Sequence, residues 1–293
     1  MFQVSCQSTL GRRESQEDAC RVLSLRRYGE LEAEEVVAAV VCDGVGGNVG
    51  GEFASAIAAE AVTESLIASG SASLLDSEDA EGIRAAVTAS FEDANQRILA
   101  EAQRNPELNG MGTTVTLALL FPKIMYVCWV GDSPAFVYAN GELTKLTREH
   151  TVVAELIARG ELDPQRAAQH PAAHTITRYA GDPRGCRPEV ASFPIRGGEL
   201  LLAFSDGLTD VLSPTAIQSV IEEWRSSLGP LHDLSTRLVA EALLAGSQDN
   251  ITAVCIENDS QKYTEPTCTH GYRALRAKRI RNHVSQENLW TGA

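Results

Sequence analysis

Three apolar runs in this chain stop at an aspartate, and a fourth begins just after one. VVAAVVC ends at Asp43-Gly44, IMYVCWVG at Asp132-Ser133 and LLLAFS at Asp206-Gly207, while Asp249-Asn250 opens ITAVCI. Runs of this length, rich in Val, Ile, Leu and aromatic residues, read as buried strands. A carboxylate at the lip of such a strand stands on rigid backbone and is partly shielded from water. One such residue is a turn, because Asp-Gly is a common turn dipeptide and Asp tolerates the left-handed conformation. Four are a candidate cage for a hard metal ion.

The rest of the pattern sets the fold class. VSCQSTLG and ACRVLSLRRYG read as strands before the run at 36–42. The glycine-rich stretch 44–51 leads into an Ala-rich helix that stops at Gly70, a C-cap residue, and SASLLDSEDAEG is a loop. Ile83, Val87, Phe91, Ala94, Ile98 and Ala102 recur at helical spacing, predicting a helix over about 82–103 that ends before Asn105-Pro106. TTVTLALLF and KIMYVCWVG are strands joined at Pro122-Lys123, and AFVYANGELTKL is a hairpin turning at Asn140-Gly141. Thr151 caps a short helix ending at Gly160, and 161–187 is irregular. Strands at 189–195 and 199–204, helices at 214–226 and 231–245, and ITAVCIE complete the core. Strands come in runs and long helices in pairs, which predicts an α+β fold with antiparallel sheets and not a doubly wound one.

Composition narrows the function. With 293 residues and 44% hydrophobic content the chain can build one large domain or two ordinary ones. No apolar stretch approaches the roughly 20 residues of a membrane span, so no transmembrane segment is expected. The N-terminus lacks the features of a signal peptide, and a cytoplasmic protein is expected. A net charge of −14 argues against non-specific nucleic-acid binding. An anionic substrate would therefore need cations placed at the site. Seven cysteines without a CxxC pair indicate neither a disulfide framework nor a thiolate zinc site, and Cys42, Cys128 and Cys255 lie inside apolar runs as core residues. Residues 258–293 hold six Lys or Arg against three acids and little apolar periodicity, and are expected to be a basic C-terminal tail appended to a domain spanning 1–257.

An ordered series of short motifs joins these aspartates. Arg13-Glu14-Ser15-Gln16-Glu17-Asp18 is followed by DGVGG at 43–47, GMGTT at 110–114, GDS at 131–133, SDGL at 205–208 and QDNIT at 248–252. From about residue 9 to 256 this series resembles the bacterial-type metal-dependent serine/threonine protein phosphatases of the type 2C family. The resemblance implies a four-layer αββα sandwich, two antiparallel β-sheets with helices on both outer faces. It implies two Mn²⁺ or Mg²⁺ ions in a cleft at one end, with a third, weaker ion in bacterial members. Asp43 would bridge the two metals, Asp206 and Asp249 would complete the shell of one, and Glu17 with the Gly44 carbonyl would serve the other. Asp18 would stand beside them through water, Asp132 would hold the third ion with Asp206, and Arg13 would grip the substrate phosphate. Oxygen donors of this kind suit Mg²⁺ and Mn²⁺. Two metals sharing a carboxylate can lower the pKa of a shared water, and the resulting hydroxide would attack phosphorus in line. An acidic cleft loaded with divalent ions thus becomes an anion site. Glycines at 44, 46 and 47 let backbone approach a metal. Phosphoserine and phosphothreonine on proteins are the implied substrates, and a Ser/Thr protein kinase is the expected counterpart.

The chain departs from the family pattern in several places. Asn48 and Val45 stand where bacterial and eukaryotic members, respectively, often carry His, so no leaving-group acid is assigned and a metal-bound water is the default. Gln16 replaces Asn, and Pro134 replaces an Arg. Residues 161–187 occupy the place of the family's variable flap, with His170-Pro171 and Thr177-Arg178 matching its usual phrase. His170 and His174 read as solvated loop histidines and His150 as structural. Three rivals stay in view. Cys6 and Arg12 satisfy the C-x5-R pattern of a cysteine phosphatase. The glycines at 44–51 suggest a nucleotide-binding turn, although Val49 sits where that fingerprint needs glycine. A scaffold could also keep metals without catalysis. For the tail, a kinase, an acidic partner or a membrane surface are the expected docking classes.

Overall fold

The computed structural model describes residues 1–28, 33–45, 50–68 and 79–259. Gly46, Gly47, Asn48, Gly70 and nearly all of the tail lie outside the described residues. In chain order the strands are β1 (Phe2–Thr9), β2 (Asp18–Tyr28), β3 (Ala33–Val45), β4 (Gly112–Thr113), β5 (Val115–Leu120), β6 (Ile124–Val130), β7 (Ala135–Ala139), β8 (Glu142–Lys145), β9 (Glu189–Pro194), β10 (Leu200–Phe204) and β11 (Ile251–Asn258). The helices are α1 (Gly51–Ala68), α2 (Ala80–Arg104), α3 (Val152–Ala158), α4 (Asp206–Thr209), α5 (Pro214–Ser227) and α6 (Leu231–Leu244).

The strands form two sheets, ordered β1-β11-β10-β7-β8 and β2-β3-β5-β6-β9, with every neighbouring pair antiparallel. Side-chain alternation explains why the apolar runs are continuous. In β3, Val37, Ala39 and Val41 face the second sheet, where they meet Leu201, Ala203, Val254 and Ile256. Their neighbours Val36, Ala38, Val40 and Cys42 face a separate cluster with Ala58, Val62, Phe91 and Ile98 of α1 and α2. On the far side, Leu200, Leu202, Ala253 and Cys255 pack against Ile217, Ile221, Leu234 and Leu238 of α5 and α6. Each sheet is covered on both faces, so its strands need no polar side. The result is the expected four-layer αββα sandwich.

Local signals operate as read. Asn140 and Gly141, at φ 53° and 76°, make the two-residue hairpin turn between β7 and β8. Thr151 Oγ1 accepts the Ala154 amide at the start of α3, and Ser213 Oγ accepts the Ala216 amide at the start of α5. Two details differ from expectation. The segment TTVTLALLF splits: β4 pairs with Gly44–Val45 at the tip of β3, while β5 pairs further down the same strand. The break falls at Thr114, whose amide donates to the Asp43 carbonyl at 2.9 Å. The residues after Phe204 also form one turn of helix, α4, too short for periodicity to register. Among the described residues no helix is long and apolar enough to cross a membrane.

Candidate metal centre

The layered core delivers carboxylates from both sheets to one end. In the six-stranded sheet Asp18 opens β2 directly opposite Asp43 in β3. In the other sheet β10 ends beside Asp206, and Asp249 precedes β11. Asp132 lies in the turn by which β6 leaves one sheet and β7 enters the other.

Hydrogen bonds tie these pieces together. The Asp206 amide donates to Asp43 Oδ2 at 3.4 Å, across the two sheets. Ser205 Oγ and Thr252 Oγ1 each donate to Asp18 Oδ2 at 2.7 Å. The Asp43 amide donates to Thr114 Oγ1 at 3.0 Å, and Thr113 Oγ1 donates back to the Asp43 carbonyl at 2.9 Å. Thr114 Oγ1 and Ser133 Oγ lie 2.7 Å apart, linking the Asp43 strand to the turn that carries Asp132. The buried Asn250 accepts from the Glu17 amide at 2.7 Å and donates to the carbonyls of Leu10 and Ser15 at 2.9 and 3.0 Å. The Gly44 amide in turn donates to the Glu17 carbonyl at 3.0 Å. A Cβ on Gly44 would stand 2.3 Å from the Gly51 carbonyl oxygen and 2.7 Å from that of Glu17, so this close approach requires glycine.

Electrostatics marks the same group. Burial, then the nearby carboxylates Asp206 and Asp18, push Asp43 well above the ordinary carboxylate range. Asp206 is pushed up to about 6 by burial and by Asp210. Asp132 is pushed up to about 7 by burial and by Asp206. Asp18 rises to about 6 through burial, offset in part by its hydrogen bonds from Thr252 and Ser205. Arg13 Nη2 meets Asp249 Oδ2 at 2.6 Å, and this bond raises the guanidinium's pKa further.

The carboxylates line one rim and are not closed into a cage. Among the described residues no three His, Cys, Asp or Glu side chains are gathered as a finished ligand set. Each is tied elsewhere: Asp249 to Arg13, Asp18 to two hydroxyls, Asp43 to the Asp206 amide. The donor chemistry nevertheless fits a hard divalent ion, with oxygen donors only and with Asp206 and Asp18 raising the pKa of the Asp43 carboxyl.

Sequence reasoning found the aspartates but not their supports. Thr113, Thr114, Ser133, Ser205, Thr252 and Asn250 carry no periodic signal; all but Asn250 are hydroxyl residues, and all six lie inside the short motifs named above. The histidines separate. His150 is buried, its Nδ1 accepts the Gly131 amide at 3.1 Å, and its Nε2 lies 3.0 Å from Glu189 Oε1. Burial would raise Glu189, but the bond with His150 and the charges of Arg148 and Arg178 outweigh it and hold the carboxyl low. His150 is structural, as expected. His170 Nδ1 accepts the Ala172 amide at 3.1 Å. His174 is exposed and stands 3.7 Å from Asp210. Nothing favours the Cys6–Arg12 reading: Cys6 lies in β1, where a hydrogen bond with Cys20 pushes its thiol up, away from thiolate.

Comparison with known proteins identifies the family and the fold. A family model described as protein phosphatase 2C matches residues 7–267. A serine/threonine phosphatase of Listeria monocytogenes is 28% identical over 220 residues, covering 75% of this chain and 84% of that protein. The phosphatase PstP of Mycobacterium tuberculosis is 31% identical over 214 residues, covering 73% of this chain and 39% of its own. Among solved structures, Stp1 from Staphylococcus aureus superimposes with a TM-score of 0.73 at 28% identity, over 88% of this chain and 95% of that one. The catalytic domain of PstP in complex with two manganese ions superimposes at 0.67 with 28% identity, over 87% and 97%.

Proposed function

The chain belongs to the protein phosphatase 2C family, and from that membership we propose how its own residues carry out the reaction. It is a metal-dependent protein-serine/threonine phosphatase, with phosphoproteins as substrates. The observation that carries the assignment of roles is the meeting of the two sheets at Asp43, where the Asp206 amide reaches the Asp43 carboxylate and Asp18 stands opposite in register.

In this reading Asp43 would be a ligand shared by two divalent ions, Mn²⁺ or Mg²⁺. Asp206 and Asp249 would help hold one, and Glu17 with the Gly44 carbonyl would help hold the other. Asp18 would orient water beside them, and Asp132 with Asp206 would hold a third, weaker ion. Bound ions of this kind supply hydroxide at neutral pH and offset charge on the phosphoryl oxygens. The chain itself positions these groups: Asn250 fixes the backbone of Glu17, and Ser205 and Thr252 fix one oxygen of Asp18. Arg13, in contact with Asp249 at the rim, stands where it can pair with a phosphate bidentately. A serine/threonine kinase acting on the same proteins is the natural counterpart.

The test is hydrolysis of para-nitrophenyl phosphate and of a phosphothreonine peptide with Mn²⁺, Mg²⁺ or EDTA, repeated with Asp206→Asn. Turnover should need a divalent ion, and the variant should lose at least about 10²-fold in kcat, as expected when a group acting on the transition state is removed. Activity that survives EDTA, or an Asp206→Asn enzyme as fast as the native one, would overturn it.

A further inference from the structure

The residues assigned so far provide a phosphate clamp and metal ligands but no group to protonate the departing oxygen. We propose that His174, held at the cleft by Asp210, is the general acid that delivers a proton to the serine or threonine oxygen as it leaves. The inference rests on the phosphatase reading and extends it to a catalytic residue.

Placement comes from two elements. In α4 the Asp210 amide donates to the Asp206 carbonyl at 2.8 Å, so Asp206 and Asp210 stand one turn apart on the same face. Leu208 and Leu212 are buried in the core beneath the α5–α6 layer and fix the opposite face. Asp210 is therefore aimed along the rim that carries Asp206. From the flap, His174 brings Nδ1 to 3.7 Å from Asp210 Oδ2. The flap backbone just after it is pinned: the Val152 amide donates to the Thr175 carbonyl at 2.9 Å, and the Thr177 amide donates to the His150 carbonyl at 2.7 Å. With Nδ1 towards Asp210, Nε2 is the ring nitrogen left for a substrate.

The charge of His174 bears on the rim as well as on Asp210. His174 acts on both Asp206 and Asp210. Asp210 is raised by burial, with His174 pulling it back and Asp249 and Glu149 pushing it up again. The charged groups facing the pair are thus Asp206 from α4, Asp249 from the turn before β11 and Glu149 from the loop before α3. The other described histidines are elsewhere engaged: His150 inside the core, His170 on its own turn, and His232 beside Asp233 in the outer helix α6. Histidine is the side chain whose ordinary titration falls near neutral pH, and an acid that returns to its charged form between turnovers suits the task.

The step balances without a further reactant. The bond from phosphorus to the serine oxygen breaks, and its electron pair stays on that oxygen. The oxygen takes the proton from His174 Nε2, phosphorus gains its new oxygen from water, whose proton passes to solvent, and the neutral imidazole recovers a proton from solvent. Phosphoprotein and water become protein alcohol and inorganic phosphate.

The need for an acid depends on the leaving group. A serine or threonine alkoxide leaves poorly unless protonated, whereas para-nitrophenolate leaves without help. His174→Gln and Asp210→Asn are compared with the native enzyme on a phosphothreonine peptide and on para-nitrophenyl phosphate, across pH and at saturating Mn²⁺. His174→Gln should lose about 10²-fold in kcat on the peptide. On para-nitrophenyl phosphate it should stay within about 3-fold of native, and the alkaline fall of the peptide profile should go. Asp210→Asn should show the same substrate bias more weakly. Equal losses on both substrates would make His174 a flap residue without a proton role, and no loss on either would leave water as the acid; both overturn the inference while the phosphatase reading stands. Absence of Mn²⁺-dependent turnover by the native enzyme would overturn that reading and the inference with it.

Discussion

Asn250 illustrates how much of the centre depends on a side chain that need not touch a substrate. It is buried, and its amide group serves three backbone partners, the Glu17 amide and the Leu10 and Ser15 carbonyls. The segment it holds carries Arg13 and Glu17, which have no strand of their own. Asn250→Ala leaves those backbone groups unpaired at the edge of the core. Each such loss costs about 1–3 kcal/mol when water cannot replace the partner, and access for water at this edge lowers the sum. The variant should be less stable by about 2–4 kcal/mol in urea unfolding. It should also need more Mn²⁺ for half-maximal activity, because Glu17 is no longer held. A stability loss with unchanged Mn²⁺ dependence would show that Glu17 keeps its place without this bond.

At the scale of elements, the apolar runs made most of the fold legible. A strand covered on both faces has no polar side, so it stands out as an unbroken run, and β3, β5, β6, β10 and β11 were all found this way. The same property gives a test. Val40 and Val41 are adjacent in β3 and both fully buried, one against the α1–α2 layer and one between the sheets. Truncating either to Ala removes about two methylene equivalents and leaves a cavity, so each should cost about 2–3 kcal/mol in chemical denaturation. In a strand with one wet face, one of two successive positions would be nearly silent. What escaped the sequence was short or non-periodic. α4 is a single turn, the β4–β5 break follows from hydrogen bonds at Thr114, and the His174–Asp210 pair joins a flap to a helix distant in sequence. The candidate site divides likewise: Asp43, Asp132 and Asp206 close apolar runs and Asp249 opens one, so all four are visible from the residues alone, whereas Arg13 and Glu17 are reached only through family resemblance.

The molecule as a whole carries a charge of −14 and gathers several of its acids at one rim. That concentration makes its stability depend on pH and on metal together. Asp18 and Asp206 are pushed up to about 6 and Asp132 to about 7, against an ordinary value of 3.8. Between pH of about 4 and about 7 the folded protein therefore holds protons that the unfolded chain has given up, and the contribution of these groups to stability falls as pH rises through that window. A divalent ion that binds only the folded form opposes this trend, since it supplies the positive charge the protons no longer do. In EDTA the melting temperature should drop between pH 5.5 and pH 7.5, and the drop should be smaller in Asp206→Asn, which carries one fewer carboxylate. The rise in melting temperature on adding Mn²⁺ should be larger at pH 7.5, where fewer protons must be displaced. An Mn²⁺ effect equal at both pH values would mean that the ion binds away from these carboxylates. Melting in EDTA that does not change with pH would mean that their repulsion is relieved within the protein, with Arg13 beside Asp249 as a cation able to do it.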